Sequence, residues 1–261
     1  MGFEILDPGT FILLILAGLC AGWVDAVVGG GGLIQLPAVL MIPGLMPVQA
    51  LAVNKMGSVF GTSASAITYY RRTATDLRST LPMAALALLA SMGGAIVATF
   101  IPSEAFRPII LLALVGVLLF TIFKPDAGQL TAMKHTGKAH LARALAIGAV
   151  IGFYDGVMGP GTGSFLVIAM ITVLGYSFLQ ASAQTKVVNL ATNVGALILF
   201  SLAGHLVWQM GLVLGLANLC GGYLGARTAI SRGSGFVRIM MITVVSALIL
   251  KTAWDVLAPL F

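Results

Sequence analysis

The sequence predicts an all-α polytopic membrane protein built from two inverted-topology repeats, each of about five helical elements with a broken or re-entrant segment. Three observations carry this prediction. First, the 261 residues are 59% hydrophobic and only 8% charged, with a mean hydropathy of +1.05, whereas a soluble globular domain carries about 25% charged residues. So much apolar surface has no water-soluble core large enough to hide it, and lipid is the solvent for most of the chain. Second, Gly22-Trp23-Val24-Asp25-Ala26-Val27-Val28-Gly29 returns about 130 residues later as Gly152-Phe153-Tyr154-Asp155-Gly156-Val157-Met158-Gly159. Third, each copy runs on into further glycines, Gly30 to Gly32 and then Gly161 and Gly163. Each is also followed, about 30 residues past its aspartate, by a lysine in an apolar run, Lys55 and Lys186. Duplicated membrane units with interrupted helices and buried charge are the pattern of carriers whose site lies between the halves.

The elements follow in order. Apolar segments bounded by charge, proline and glycine fall at about 10–28, 33–43, 48–70, 79–100 and 105–123. A matching set falls at about 141–158, 163–175, 180–203, 208–227 and 237–257. The first repeat is thus residues 1–124, a polar linker covers 125–140, and the second repeat is 141–261. The second segment of each repeat is too short to span. Eleven helical residues reach roughly 16 Å against a hydrocarbon core of about 30 Å. With the glycines before it, it reads as a broken segment, which is tolerated at depth only where protein or a wet cavity satisfies its backbone. Gly93-Gly94 and Gly221-Gly222 are placed alike in the two halves and suit close helix packing in lipid. The linker, with Gly128 and Gly137, reads as mobile.

Charge sets the orientation. Arg71, Arg72 and Arg78, then Lys124, Lys134, Lys138 and Arg143, then Arg227, Arg232 and Arg238 form three basic clusters between apolar segments. All three belong in the cytoplasm by the positive-inside rule. The first half then starts outside and the second inside, with both termini outside. Arg107 falls on the outer face, offset by Glu104. The net charge of +6 has no basic stripe and does not point to nucleic acid. Cys20 and Cys220 lie in apolar segments, where packing rather than a disulfide or metal is their expected role. No Ser/His/Asp set and no His/Cys ligand cluster stands out, so neither an enzyme, a metal nor a cofactor is expected.

Within the apolar runs, the charged residues Asp25, Lys55, Asp155 and Lys186 stand deepest. A charge at the bilayer centre costs roughly 2.5–3.5 kcal/mol on insertion scales, so such groups pair or face a cavity. The lysines stand among small polar residues. Asn54, Ser58 and Thr62 recur at four-residue steps, and Thr185, Asn189, Thr192 and Asn193 share one helical face. A donor-rich stripe beside an ammonium is what a desolvated oxyanion needs. The Gly30–Gly32 and Gly161-Thr162-Gly163 turns lead into the short helices, and helix N-termini present free N–H groups to anions. The candidate substrate-binding set is therefore Lys55, Lys186, Asn54, Ser58, Thr185, Asn189, Asn193, Gly30, Gly31, Gly32, Gly161, Thr162 and Gly163. Asp25 and Asp155 either hold the lysines and loops in place or exchange protons.

These residues resemble the TauE/SafE sulfite exporter (TSUP) family. The resemblance rests on Gly22-x-x-Asp25-x-x-x-Gly29-Gly30-Gly31-Gly32, Pro37 and Ala50-x-Ala52-x-Asn54-Lys55. It is renewed in Gly152-x-x-Asp155-Gly156-x-x-Gly159-Pro160-Gly161-Thr162-Gly163-Ser164 and Ala181-x-Ala183-x-Thr185-Lys186-x-x-Asn189. It implies a small permease in the cytoplasmic (inner) membrane for sulfur-containing anions such as sulfite or organosulfonates, usually exporting; a coupling proton is a further partner only on the reading in which Asp25 and Asp155 exchange protons. The halves depart from each other before the lysine, Asn54 against Thr185. A passive anion channel, a carrier of cationic or zwitterionic substrates using the aspartates, and a scaffold or sensor whose charges only fix the fold stay open on the residues alone.

Overall fold

The computed structural model describes residues 7–73, 75–100 and 131–257, and among these every regular element is helical. The predicted fifth segment at 105–123, with Glu104 and Arg107, lies outside the described residues, as does Lys124. Helix α1 (Pro8–Val28) starts where Asp7 accepts the Thr10 amide at 2.8 Å and Pro8 presets the first turn. It stops at Gly29, whose φ of 80° is left-handed. The short α2 (Gly32–Leu40) runs back through Pro37, and α3 (Pro47–Tyr70) follows. Asp76 caps α4 (Leu77–Ala98) through the Arg78 amide. The second half repeats the series as α5 (Gly137–Val157), α6 (Thr162–Ala169) with a π-helical turn at Met170–Leu174, and α7 (Phe178–Leu202). Last comes α8 (Trp208–Leu257), interrupted at Gly233, where φ is 74° and ψ −173°. That break falls between the two segments predicted at 208–227 and 237–257.

The halves are interlocked by close helix contacts. Gly18 and Gly22 of α1 meet Leu214–Asn218 and Asn218–Gly222 of α8, so the two helices run parallel. In the same way Gly148, Gly152 and Gly156 of α5 meet Met83, Ala87 and Ser91 of α4. Gly57 and Gly61 of α3 meet Leu214 and Asn218 of α8, again in parallel. Helix α7 runs parallel to α4, with Thr80 bonded to Gln184 and Ser91 to the Thr192 carbonyl. The two long lysine- and aspartate-bearing helices of each half thus pack along the fourth helix of the other. The predicted glycine pairs behave unequally. Gly94, Gly221 and Gly222 lie against backbone, where a Cβ would come within 2.1–2.4 Å of a carbonyl oxygen, while Gly93 only approaches the Phe153 ring.

Three described helices, Pro8–Val28, Leu77–Ala98 and Phe178–Leu202, are long and apolar enough to cross a bilayer. Their outer faces carry exposed Leu16, Leu89 and Ile198, and α5 and α8 add Val150, Leu216 and Ile239. Apolar surface of this extent belongs against lipid. Cys20 and Cys220 are free thiols on this outer surface rather than in the packed interior. The described part of the linker differs from its mobile reading. Ala132 and Lys134 donate their amides to the Gly175 and Leu174 carbonyls, and α5 has already begun at Gly137.

Candidate functional site

The site is assembled where the two interrupted turns meet. Gly29 has a left-handed φ, and a Cβ there would lie 2.3 Å from the Gly163 carbonyl carbon. A Cβ on Gly163 would lie 2.4 Å from the Gly29 Cα. Only two glycines allow these backbones to touch. The contact brings the last turns of α1 and α5 close to the middles of α3 and α7, which carry the lysines.

Each lysine crosses to the other half. Lys55 Nζ donates to Asp155 Oδ2 at 2.7 Å and to the Asp155 carbonyl at 2.6 Å. Lys186 Nζ donates to Asp25 Oδ2 at 2.9 Å and also to the Asp25 carbonyl. Asp25 and Asp155 occupy the last turns of α1 and α5, where the helix dipole is negative. An ammonium there satisfies a carboxylate and a helix end together. The pairs are not equally buried. The Lys55 and Asp155 side chains are 1% and 2% exposed, while Asp25 is 15% exposed. Two more side chains secure the end of α1: Tyr69 Oη donates to the Ala26 carbonyl at 2.9 Å, and Ser164 Oγ to the Val28 carbonyl at 2.8 Å.

Between these groups lies a polar cavity closed down to about 10 Å³, room for one water molecule. Of the predicted binding residues, Lys55, Asn54, Ser58, Asn189, Asn193, Gly32 and Gly163 line it, together with Asp25 and Asp155. Lys186 reaches this group through Asp25. Asn193 donates to Asn189 Oδ1 at 3.2 Å, which holds that oxygen in place. The Asn54 Oδ1 is buried without a hydrogen-bond partner.

Other predicted residues are engaged elsewhere. Thr162 donates to the Gly159 carbonyl at 2.8 Å, and Thr185 to Met170 Sδ at 3.7 Å. Gly30, Gly31 and Gly161 form the turns but not the cavity wall. The wall includes Gly29 and Gly159, which the sequence marks only as the ends of the repeated motif.

A buried amide pair joins them that the sequence does not single out. Asn218 donates to Gln35 Oε1, and Gln35 donates to the Asn54 carbonyl at 2.8 Å. This chain ties α8 and α2 to the segment of α3 that carries Lys55. Its signal in the sequence is slight: one amide each in the otherwise apolar α2 and this stretch of α8.

A helical membrane protein with a charge-paired polar cavity lined from both halves has the build of a solute transporter. The comparisons agree. The sulfite exporter TauE/SafE profile matches residues 14–252, and the chain belongs to this family of membrane transporters. It is 35% identical over 247 residues to the probable membrane transporter protein ORF9 of Sinorhizobium sp, covering 95% of this chain and 94% of that one. It is 31% identical to the probable membrane transporter protein YfcA of Escherichia coli K12, covering 96% and 92%. A probable membrane transporter protein of Haemophilus influenzae is also 31% identical, covering 96% and 98%.

Proposed function

We propose that the protein is a secondary transporter of the cytoplasmic membrane for a small sulfur-containing anion, sulfite or an organosulfonate, working in the exporting direction. The two halves, 1–124 and 141–261, act as inverted repeats that rock about the site, and both termini lie outside. Helix directions support this. Helices α1 and α3 both run parallel to α8, whereas their counterparts α5 and α7 run parallel to α4. The short turn from α3 into α4 sets the ends of the first pair beside the starts of the second.

One observation carries the substrate reading. An ammonium has three N–H donors, and Asp155 takes two from Lys55. The third, with the hydroxyl of Ser58 and the amides of Asn54 and Asn189, supports a tetrahedral or trigonal oxyanion. Each lysine is neutralised by its aspartate, so the site's own groups carry no net charge. Protonation of Asp25 or Asp155 leaves one uncompensated ammonium and admits the anion, which couples its movement to a proton. The turns at Gly30–Gly32 and Gly161–Gly163 move as gates, with Thr162 and Thr185 joining the site when it opens.

The test is flux in proteoliposomes. Sulfite or sulfoacetate should move, faster as the pH on the loading side falls, and Lys55→Ala and Lys186→Ala should each lose it. Undiminished flux in both variants overturns the lysine assignment. Competition by amines but not sulfonates would turn the site over to the aspartates. Failure of an imposed pH gradient to drive accumulation would make the protein a channel.

A further inference from the structure

We propose that a groove between α3 and α8, apart from the transport site, binds the headgroup and upper acyl chain of an anionic phospholipid. The groove holds about 280 Å³. Its floor is apolar, with Ile67 52% and Leu219 38% exposed. Its rim is made by Arg71 and Arg72, just past the end of α3, and by Arg227 of α8. All three arginines are exposed, and among the described residues no carboxylate pairs with them.

Arg227 is held ready. Its Nη1 donates to Tyr223 Oη at 3.1 Å, and its guanidinium lies 5.5 Å from the centre of the Tyr223 ring. That contact engages one guanidinium N–H of an exposed side chain, and arginine takes a phosphate bidentately through its others. Three guanidiniums on one rim concentrate positive charge, and among the described residues no carboxylate lies within ion-pair distance of them. Charge complementarity asks for an anion. The exposed aliphatic floor beneath it asks for hydrocarbon, which a free phosphate lacks. Basic pockets between membrane helices take anionic headgroups for this reason. The groove shares no residue with the cavity around Lys55. It joins α3 of the first half to α8 of the second, so a bound lipid clamps the two halves at this end.

The test uses the full-length protein in detergent, titrated with phosphatidylglycerol or phosphatidylcholine of equal chain length and read by native mass spectrometry. A basic residue near an anionic lipid favours it by roughly fivefold, so three predict a preference of tenfold to roughly hundredfold for phosphatidylglycerol. The triple variant Arg71→Gln, Arg72→Gln, Arg227→Gln should fall to the phosphatidylcholine level, with unchanged thermal unfolding in detergent alone. A matched variant, Arg78→Gln with Lys138→Gln, should keep the preference. Equal binding of the two lipids, or a preference that survives the triple variant, overturns the proposal. Competition by millimolar inorganic phosphate as strong as by lipid would make the groove a phosphate site and not a lipid site.

Discussion

Replacing Lys55 with methionine isolates the most buried ion pair among the described residues. Lys55 and Asp155 are 1% and 2% exposed, and the lysine makes both of its hydrogen bonds to the same residue. The substitution keeps the side-chain volume but strands a carboxylate at the end of α5. Removing one member of a buried pair costs about 3–5 kcal/mol. At 1.4 kcal/mol per tenfold, the folded-to-unfolded ratio should fall by roughly two to four orders of magnitude. In Lys55→Met with Asp155→Leu no stranded charge remains. Apolar replacement of a buried pair is often neutral or stabilising by about 1–4 kcal/mol, so the double variant should recover most of the loss. Lys186→Met should lose less than Lys55→Met, because Asp25 is 15% exposed and water can hydrate it. The assay is reversible unfolding in mixed detergent micelles followed by tryptophan fluorescence and circular dichroism. A double variant as unstable as Lys55→Met would refute the stranded-charge argument, as would a Lys55→Met loss under about 1 kcal/mol.

Three further outcomes are expected. Gly29→Ala places a Cβ 2.3 Å from the Gly163 backbone at a φ of 80°; the left-handed strain of about 1–2 kcal/mol and overpacking of about 1–3 kcal/mol should lower the thermal midpoint and abolish flux. Tyr69→Phe removes the donor to the Ala26 carbonyl and should cost about 1–3 kcal/mol in micelle unfolding, while Tyr70→Phe, on the exposed face, should cost nothing measurable. Asp76 is half-exposed at the head of α4. Burial pushes its carboxyl up, but bonds from the Ser79 and Tyr176 hydroxyls and the Arg78 amide outweigh this and hold it below the ordinary 3.8. A depressed carboxyl stabilises the fold above its unfolded value and ceases to as pH falls through the folded one. Unfolding midpoints of the parent and Asp76→Asn should therefore differ at neutral pH and converge below about pH 4.

Much of the fold is readable in the sequence because the constraints are local. Gly29 ends α1 and Gly175 the π turn, both by positive φ, and proline or aspartate starts α1, α3 and α4. Those signals lie within a few residues of the boundary they set, and the predicted ends of the described segments up to α7 agree with the helices to within about four residues, while the segment predicted to stop at 227 runs on to the break at Gly233. The shortness of α2 follows equally directly from where the apolar run stops. Burial of Asp25, Lys55, Asp155 and Lys186 is legible from their surroundings, since a charge in an oily run persists only when it pairs or faces a cavity. Thr185 belongs to the polar stripe of α7 and Thr162 to the glycine turn before α6, yet their hydroxyls face the Met170 sulfur and the Gly159 carbonyl. A helical stripe fixes a face and not a rotamer. The Gln35–Asn218 bond joins residues 183 apart and leaves no periodic trace. The lysine partners are hidden for a related reason. Pattern similarity says that Asp25 and Asp155 are equivalent, and equivalence is silent on which lysine each one meets.

That crossing has a mechanical consequence. Were Lys55 paired with Asp25, each half could satisfy its own charges and fold as a unit. Paired with Asp155, it leaves each half with an unmet ammonium and an unmet carboxylate until the other arrives. The residues that line the cavity therefore join the packed helices in holding the halves together. The aspartate oxygens also hold the positions an oxyanion would take against the ammonium, so carboxylate and substrate contend for the same donors. Any solute that wins this contest loosens a contact between the halves, and one that leaves restores it. A site made from bare lysines on a single half would bind anions without disturbing the fold. Under the proposed transport cycle, binding and the relative placement of the halves draw on the same few hydrogen bonds, the coupling that alternating access needs.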